Sequence, residues 1–202
     1  MTRTAKLLAA AALATTGLLL PVLVAPALAA VDNSSPERFI QTLTTDGFQA
    51  MRTGDKAEAK ASFRKLLASN VAVDEVGDRL IRRWLPTITP AQKAAYKAVL
   101  PAYLVGTYAD NLFNYADATV KIVRTQPMGA EMAEVFTQVT KPGRRPIQAI
   151  WQVSDVGGQW KVSNIQVAGI NVALAQSADF DSVIQRQGFD ALVKMMKARA
   201  AG

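Results

Sequence analysis

The segment PIQAIWQVSDVGGQWKVSNIQVAGINVA, residues 146–173, constrains what this chain can fold into more than any other. Ile147, Ala149, Trp151 and Val153 alternate with Gln148, Gln152 and Ser154, interrupted only by Ile150. A period of two marks a strand with one buried face. Gly157-Gly158 follows, and two glycines accept the positive φ angles of a tight hairpin turn. The returning arm carries Trp160 and Val162, then changes phase at Asn164 so that Ile165 and Val167 become its apolar pair. One extra residue is what a β-bulge inserts, and it bends the strand. The segment predicts a bent antiparallel hairpin whose concave face, with two tryptophans and a row of aliphatics, suits a ligand cavity.

The N-terminus reads as a secretory leader over residues 1–29. Arg3 and Lys6 make a basic start, Leu7 to Leu20 an apolar run, and Ala27-Leu28-Ala29 a cleavage triplet of small-x-small form. Pro21 and Pro26 interrupt the run, and no basic stop-transfer flank follows it. The expected product is one domain over residues 30–202, exported and monomeric. Without Arg3 and Lys6 the 23 basic residues fall to 21 against 16 acidic ones, a net charge of +5. Arg82-Arg83, Arg144-Arg145, Arg186, Lys194, Lys197 and Arg199 are dispersed rather than interleaved with aromatics, which argues against a nucleic-acid partner.

Helices are expected first. Ser35-Pro36 opens one, with serine as N-cap and proline at the first helical position. A second spans Lys56 to Ala68, and Asp74 caps a short third that ends near Trp84-Leu85-Pro86. Thr89-Pro90-Ala91-Gln92 is a stronger start, a capping box with proline inside it. The helix after it carries Tyr96, Val99, Leu100, Tyr103, Leu104, Tyr108, Leu112 and Tyr115 on one broad stripe, with Pro101 expected to kink it. The period then changes to two, giving strands over 119–125, 132–140, 146–155 and 159–172. Two helices close the chain, 177–187 stopped by Gly188 and another carrying Phe189, Leu192, Val193 and Met196 on one face. Helices, then consecutive strands, then helices predict an α+β fold with a bent antiparallel sheet of about four strands.

Histidine and cysteine are both absent, which removes the common nucleophile–base pairs and metal sites. Neither a G-x-S-x-G elbow nor a glycine-rich phosphate loop is present. Neither a catalytic residue, a metal nor a cofactor is expected. Asp110, Asp117 and Asp155 are the carboxylates left to consider as a base for a small isomerase or dehydratase.

From Trp160 the sequence WKVSNIQVAGINVA, the tail FDSVIQRQGFDAL from Phe180, Thr89-Pro90-Ala91-Gln92, and Thr107-Tyr108-Ala109 followed by Asn114-Tyr115 occur in this order. Together they resemble the MlaC family of periplasmic phospholipid carriers, also called toluene-tolerance or ABC-transporter auxiliary proteins. The likeness covers nearly all of the chain beyond the leader. Ser163-Asn164 stands where the family has a Tyr-Asp pair. The resemblance implies a fold like nuclear transport factor two, with a lipid pocket between sheet and helices, and a shuttle carrying phospholipid between inner and outer membranes. Leu104, Tyr108 and Leu112 on the long helix, with Val135, Val139, Ile147, Ala149, Trp151 and Val162 on the strands, are the candidate lining. Arg144 and Arg145 are candidates for headgroup contact or docking. The implied partners are an inner-membrane ABC complex with an MCE-type subunit and an outer-membrane lipoprotein complex. A hopanoid or other polycyclic lipid is the alternative cargo. An adaptor whose apolar face binds only protein, and the small isomerase or dehydratase, are the alternatives of other classes.

Overall fold

Local chemistry at the chain's polar start decides where its first helix begins. The Ser35 hydroxyl accepts a hydrogen bond from the Arg38 amide, and Pro36 occupies a position whose N–H would have no partner anyway. The computed structural model describes residues 31–200. The expected leader and the Asp110 side chain lie outside the described residues. Helix α1 (Pro36–Arg52) is followed by α2 (Lys56–Asn70), whose N-cap Asp55 accepts from the amides of Ala57 and Glu58. Helix α3 (Val73–Leu80) begins at Ala72 with no side-chain cap. The expected cap, Asp74, sits instead in the first turn and accepts from Lys97 Nζ at 3.0 Å.

Helix α4 (Pro90–Phe113) starts with the predicted box, in which Thr89 and Gln92 each accept from the other's backbone amide. It continues as one element through Pro101, whose ring sits on the exposed side. Five antiparallel strands follow in simple sequential order: β1 (Thr119–Pro127), β2 (Met132–Thr140), β3 (Ile147–Asp155), β4 (Trp160–Val167) and β5 (Ile170–Asn171). Helices α5 (Val172–Gln187) and α6 (Phe189–Ala200) complete the α+β fold.

The predicted phase change is present. Gln152 pairs with Asn164 and Val153 with Val162, so Ser163 is the extra residue in β4. A second bulge, absent from the sequence expectation, leaves Val123 unpaired in β1. The single long strand expected over 159–172 does not exist. Ala168 (φ 50°) and Gly169 (φ 84°) both take left-handed backbone, the geometry of a tight two-residue turn, and fold β5 back on β4. Asn171 then caps α5 by accepting from the Leu174 amide, and the helix begins at Val172, five residues before the expected start at Ser177.

Two large apolar cores result. In one, Leu80 and Ile81 from α3 and the turn after it pack with Tyr96, Leu100 and Tyr103 of α4, Phe180 of α5 and Leu192 and Met196 of α6. The other joins Phe39, Ile40 and Leu43 of α1, Phe63 and Leu66 of α2, and Ala133, Val135 and Val153 of the sheet. The first half of α4 belongs to the first core, and Ala109, Leu112 and Phe113 belong to the second.

Candidate functional site

Between these cores the side chains fail to close the space, leaving a cavity of about 310 Å³. Packed interiors carry few voids larger than a water molecule, and ligand pockets begin at about 300 Å³. Each wall follows from a periodicity already described. Alternation on β3 aims Ile147, Ala149 and Trp151 inward, and Val139 joins them from β2. On β4 the Ser163 bulge resets the phase, so Val162, Ile165 and Val167 all face the space. Helix α4 contributes Leu104, Val105, Tyr108 and Leu112, rising by three and four residues along one stripe.

Eight of the nine candidate lining residues meet on this cavity; Val135 does not. It is wholly buried against α1 in the second core, because that part of the sheet has a helix packed directly upon it. Sequence reasoning missed the wall supplied by α1 and α2, where Leu43, Phe48, Phe63 and Leu67 face the cavity. Their stripes were visible, but a stripe packed on another helix and a stripe facing empty space read alike. Val71, Val73, Val172 and Ala173 were missed because the connection after α2 and the early start of α5 were not foreseen.

Polar groups on the wall are largely engaged with one another. Thr44 donates to the Ile40 carbonyl and Asn70 to the Leu66 carbonyl, each within its own helix. The Trp151 indole donates to Thr137 Oγ1 at 3.0 Å, and that hydroxyl donates to the Ala149 carbonyl. The Ser154 hydroxyl donates to Ser163 at 3.0 Å. Asn164 donates to Gln152 and accepts from the Ala173 amide. What remains toward the cavity is hydrocarbon and the rings of Tyr108 and Tyr115. Burial pushes the Tyr108 phenol up to about 12, with Tyr103 nearby adding to the rise, so it is neutral at ordinary pH. No carboxylate lines the space among the described residues. Asp117 lies 3.5 Å from Lys141 Nζ, and Asp155 accepts from the Gly158 amide in the hairpin turn.

Half-buried lining residues occur on several sides: Val105, Tyr108, Leu112 and Tyr115 on and just after α4, Val120, Ile147, Ile165 and Val167 on the sheet, and also Phe48, Leu67, Val71, Val73 and Val172. One side of the cavity runs between the second half of α4 and one end of the sheet. There it adjoins a polar depression of about 430 Å³ formed by Asn114, Lys141, Arg144 and Arg145, which shares Tyr115, Val139 and Ile147 with it. The two candidate arginines thus stand apart from the apolar wall, in the depression that adjoins it.

Comparison with known proteins gives a consistent answer. The chain is 24% identical over 179 residues to the toluene tolerance protein ttg2D of Pseudomonas putida, across 85% of this chain and 83% of that protein. Its fold matches that of a phospholipid-binding protein from Ralstonia solanacearum, solved in complex with a phospholipid. The TM-score is 0.67 at 20% identity, covering 82% of this chain and 96% of the other. The family model described as MlaC protein matches residues 37–198, nearly the whole of the described chain, and the protein belongs to that family.

Proposed function

We propose that this protein is a lipid carrier, holding the acyl chains of a phospholipid in the cavity between its two cores. The single observation that carries the reading is the wall itself. Its amide, indole and aliphatic hydroxyl groups are engaged with protein partners, so it offers a guest little besides apolar contact. A diacyl lipid needs such a surface. Its two chains hold roughly 30 methylenes, and at ~0.8 kcal/mol each their exposure to water costs about 24 kcal/mol. The described wall side chains include no carboxylate, and the chain has no histidine or cysteine, so the role assigned is holding rather than turnover.

The finer reading is that the carrier is exported by a leader cleaved near Ala29 and shuttles phospholipid through the periplasm. It would meet an inner-membrane ABC complex with an MCE-type subunit on one side and an outer-membrane lipoprotein complex on the other. Among the described residues no helix is long and apolar enough to cross a membrane. Family membership and the phospholipid-binding relative support the cargo assignment.

Native mass spectrometry of the protein purified from its own cell envelope tests both parts. Expected are a chain beginning at Ala30 or Val31 and about one diacyl phospholipid per protein. A lipid-free protein that exchanges no labelled lipid with vesicles would sink the carrier reading. Recovery of a polycyclic lipid alone would reassign the cargo, and a retained leader would reverse the export assignment.

A further inference from the structure

We propose that the loop between β2 and β3 makes this cavity select lipids whose headgroup bears a net negative charge, an inference that rests on the carrier reading above. The loop joins two strand ends, at Val139 and Ile147, that line the apolar cavity and the polar depression alike. Chains lying against those two residues and Tyr115 therefore deliver the attached headgroup to Lys141, Arg144 and Arg145.

The loop backbone is held in a defined turn, and one of its cations is tied to the body of the protein. The Arg144 amide donates to the Lys141 carbonyl at 3.0 Å, closing a four-residue turn with Pro142 second and Gly143, at φ 70°, third. Proline and a left-handed glycine at those positions specify a type II turn. Pro146 stiffens the exit into β3. Lys141 is further fixed against the end of α4, where its Nζ donates to the Asn114 carbonyl and lies 5.6 Å from the Tyr115 ring centroid.

Charge in the depression is left unbalanced. Among the described residues Asp117, 3.5 Å from Lys141 Nζ, is the one carboxylate that pairs with any of the three cations. Neither the Arg144 nor the Arg145 guanidinium meets a carboxylate among the described residues, and both are exposed. A guanidinium presents paired N–H donors that match two phosphate oxygens at once. Phosphate is common to all these headgroups, so phosphate contact alone does not discriminate. A zwitterionic head brings an ammonium into the same cationic collar, where it is repelled, while a glycerol head brings none. Selection therefore favours the net anionic lipid, and because the depression is open to solvent it weakens with salt.

Protein stripped of lipid, offered vesicles of phosphatidylglycerol or phosphatidylcholine with identical acyl chains, tests this by lipid bound per protein. We expect about tenfold preference for phosphatidylglycerol at low salt, shrinking toward parity near 0.5 M salt. Arg144→Glu with Arg145→Glu should reverse the preference, whereas Arg144→Lys with Arg145→Lys should keep most of it. Equal uptake of the two lipids by wild type, or a preference that survives charge reversal, overturns the headgroup inference and leaves the carrier reading standing. Uptake of neither lipid removes both. Calorimetric titration with inorganic phosphate separates the other source of the same chemistry. Tight phosphate binding that neither lipid displaces would assign the collar to the free anion and overturn the inference.

Discussion

Leu104 and Val135 are both aliphatic and both nearly inaccessible to water, at 2% and 0% exposure, and they differ in what lies beside them. Leu104 borders the cavity, whereas Val135 is surrounded by packed side chains. A carboxylate placed at Val135 has no room for water, and burying it costs several kcal/mol unless it takes up a proton. Val135→Asp is expected to unfold the protein at 25 °C. Leu104→Asp can draw water into the cavity, so circular dichroism should show a folded protein with a lowered melting temperature and no co-purified lipid. If both variants unfold alike, Leu104 is ordinary core. Alkaline titration probes the same wall. The folded pKa of Tyr108 lies at about 12 against 10 for a free phenol, raised first by burial and then by Tyr103. Its contribution to stability is therefore complete below pH 10 and lost as pH rises through 12. Burial raises the Tyr96 phenol as well, with Asp78 adding to the effect. Absorbance near 295 nm at pH 11 should show the folded protein ionising fewer of its four tyrosines than the denatured chain, and Tyr108→Phe should soften the alkaline unfolding. Sequence could nominate Leu104 and Val135 together, since both sit at inward phase. It could not separate them, because what lies opposite an inward residue is settled by the packing of distant helices.

At the scale of elements, α3 and α4 approach closely at Gly77. A Cβ built on Gly77 would lie 2.1 Å from Leu100 Cδ2, so the Leu100 side chain, 1% exposed, would have to shift within packed surroundings. The Tyr96 hydroxyl donates to the Gly77 carbonyl at 2.9 Å, pinning the crossing from the other side. Gly77→Ala should cost ~1–3 kcal/mol, lowering the melting temperature by roughly 3–10 °C, whereas Gly106→Ala, inside α4 with nothing within 4 Å of the added atom, should stabilise by up to ~1 kcal/mol. A melting temperature unchanged in Gly77→Ala would mean that the two helices stand farther apart than described. Elements with strong local signals were legible. The Thr89 box, the Gly157-Gly158 hairpin and the phase change beside Asn164 each follow from a few adjacent residues. The β4–β5 turn was not, because Ala168 takes left-handed backbone that alanine rarely adopts and so gives no warning. Nor was the bulge at Val123, an exposed residue on an edge strand where neither phase is penalised.

As a whole molecule, the described residues form two large cores and a smaller apolar cluster of Ala118, Val139 and Ala149; α4 contributes to both large cores, and Val71 of one pairs with Val162 of the other. A guest filling the space touches both cores, so on the carrier reading it should tighten the fold in proportion to its affinity. Bound lipid at 100 times its dissociation constant adds ~2.7 kcal/mol, which for a chain of this size raises the melting temperature by roughly 5–10 °C. Scanning calorimetry of stripped and reloaded protein measures this directly, and identical curves would mean that lipid does not occupy the space between the cores. The engagement of the wall's polar groups with one another has a further consequence, for how such a site sorts its guests. A pocket that grips a particular hydroxyl or amine accepts or refuses it almost absolutely, because a missing partner leaves a buried group unpaired. A hydrocarbon wall has no such veto. It discriminates by length and girth, about 1–3 kcal/mol per methylene, so acyl chains should be ranked along a smooth gradient. One aliphatic exchanged for another on β3 or α4 should slide that gradient toward longer or shorter chains without abolishing carriage.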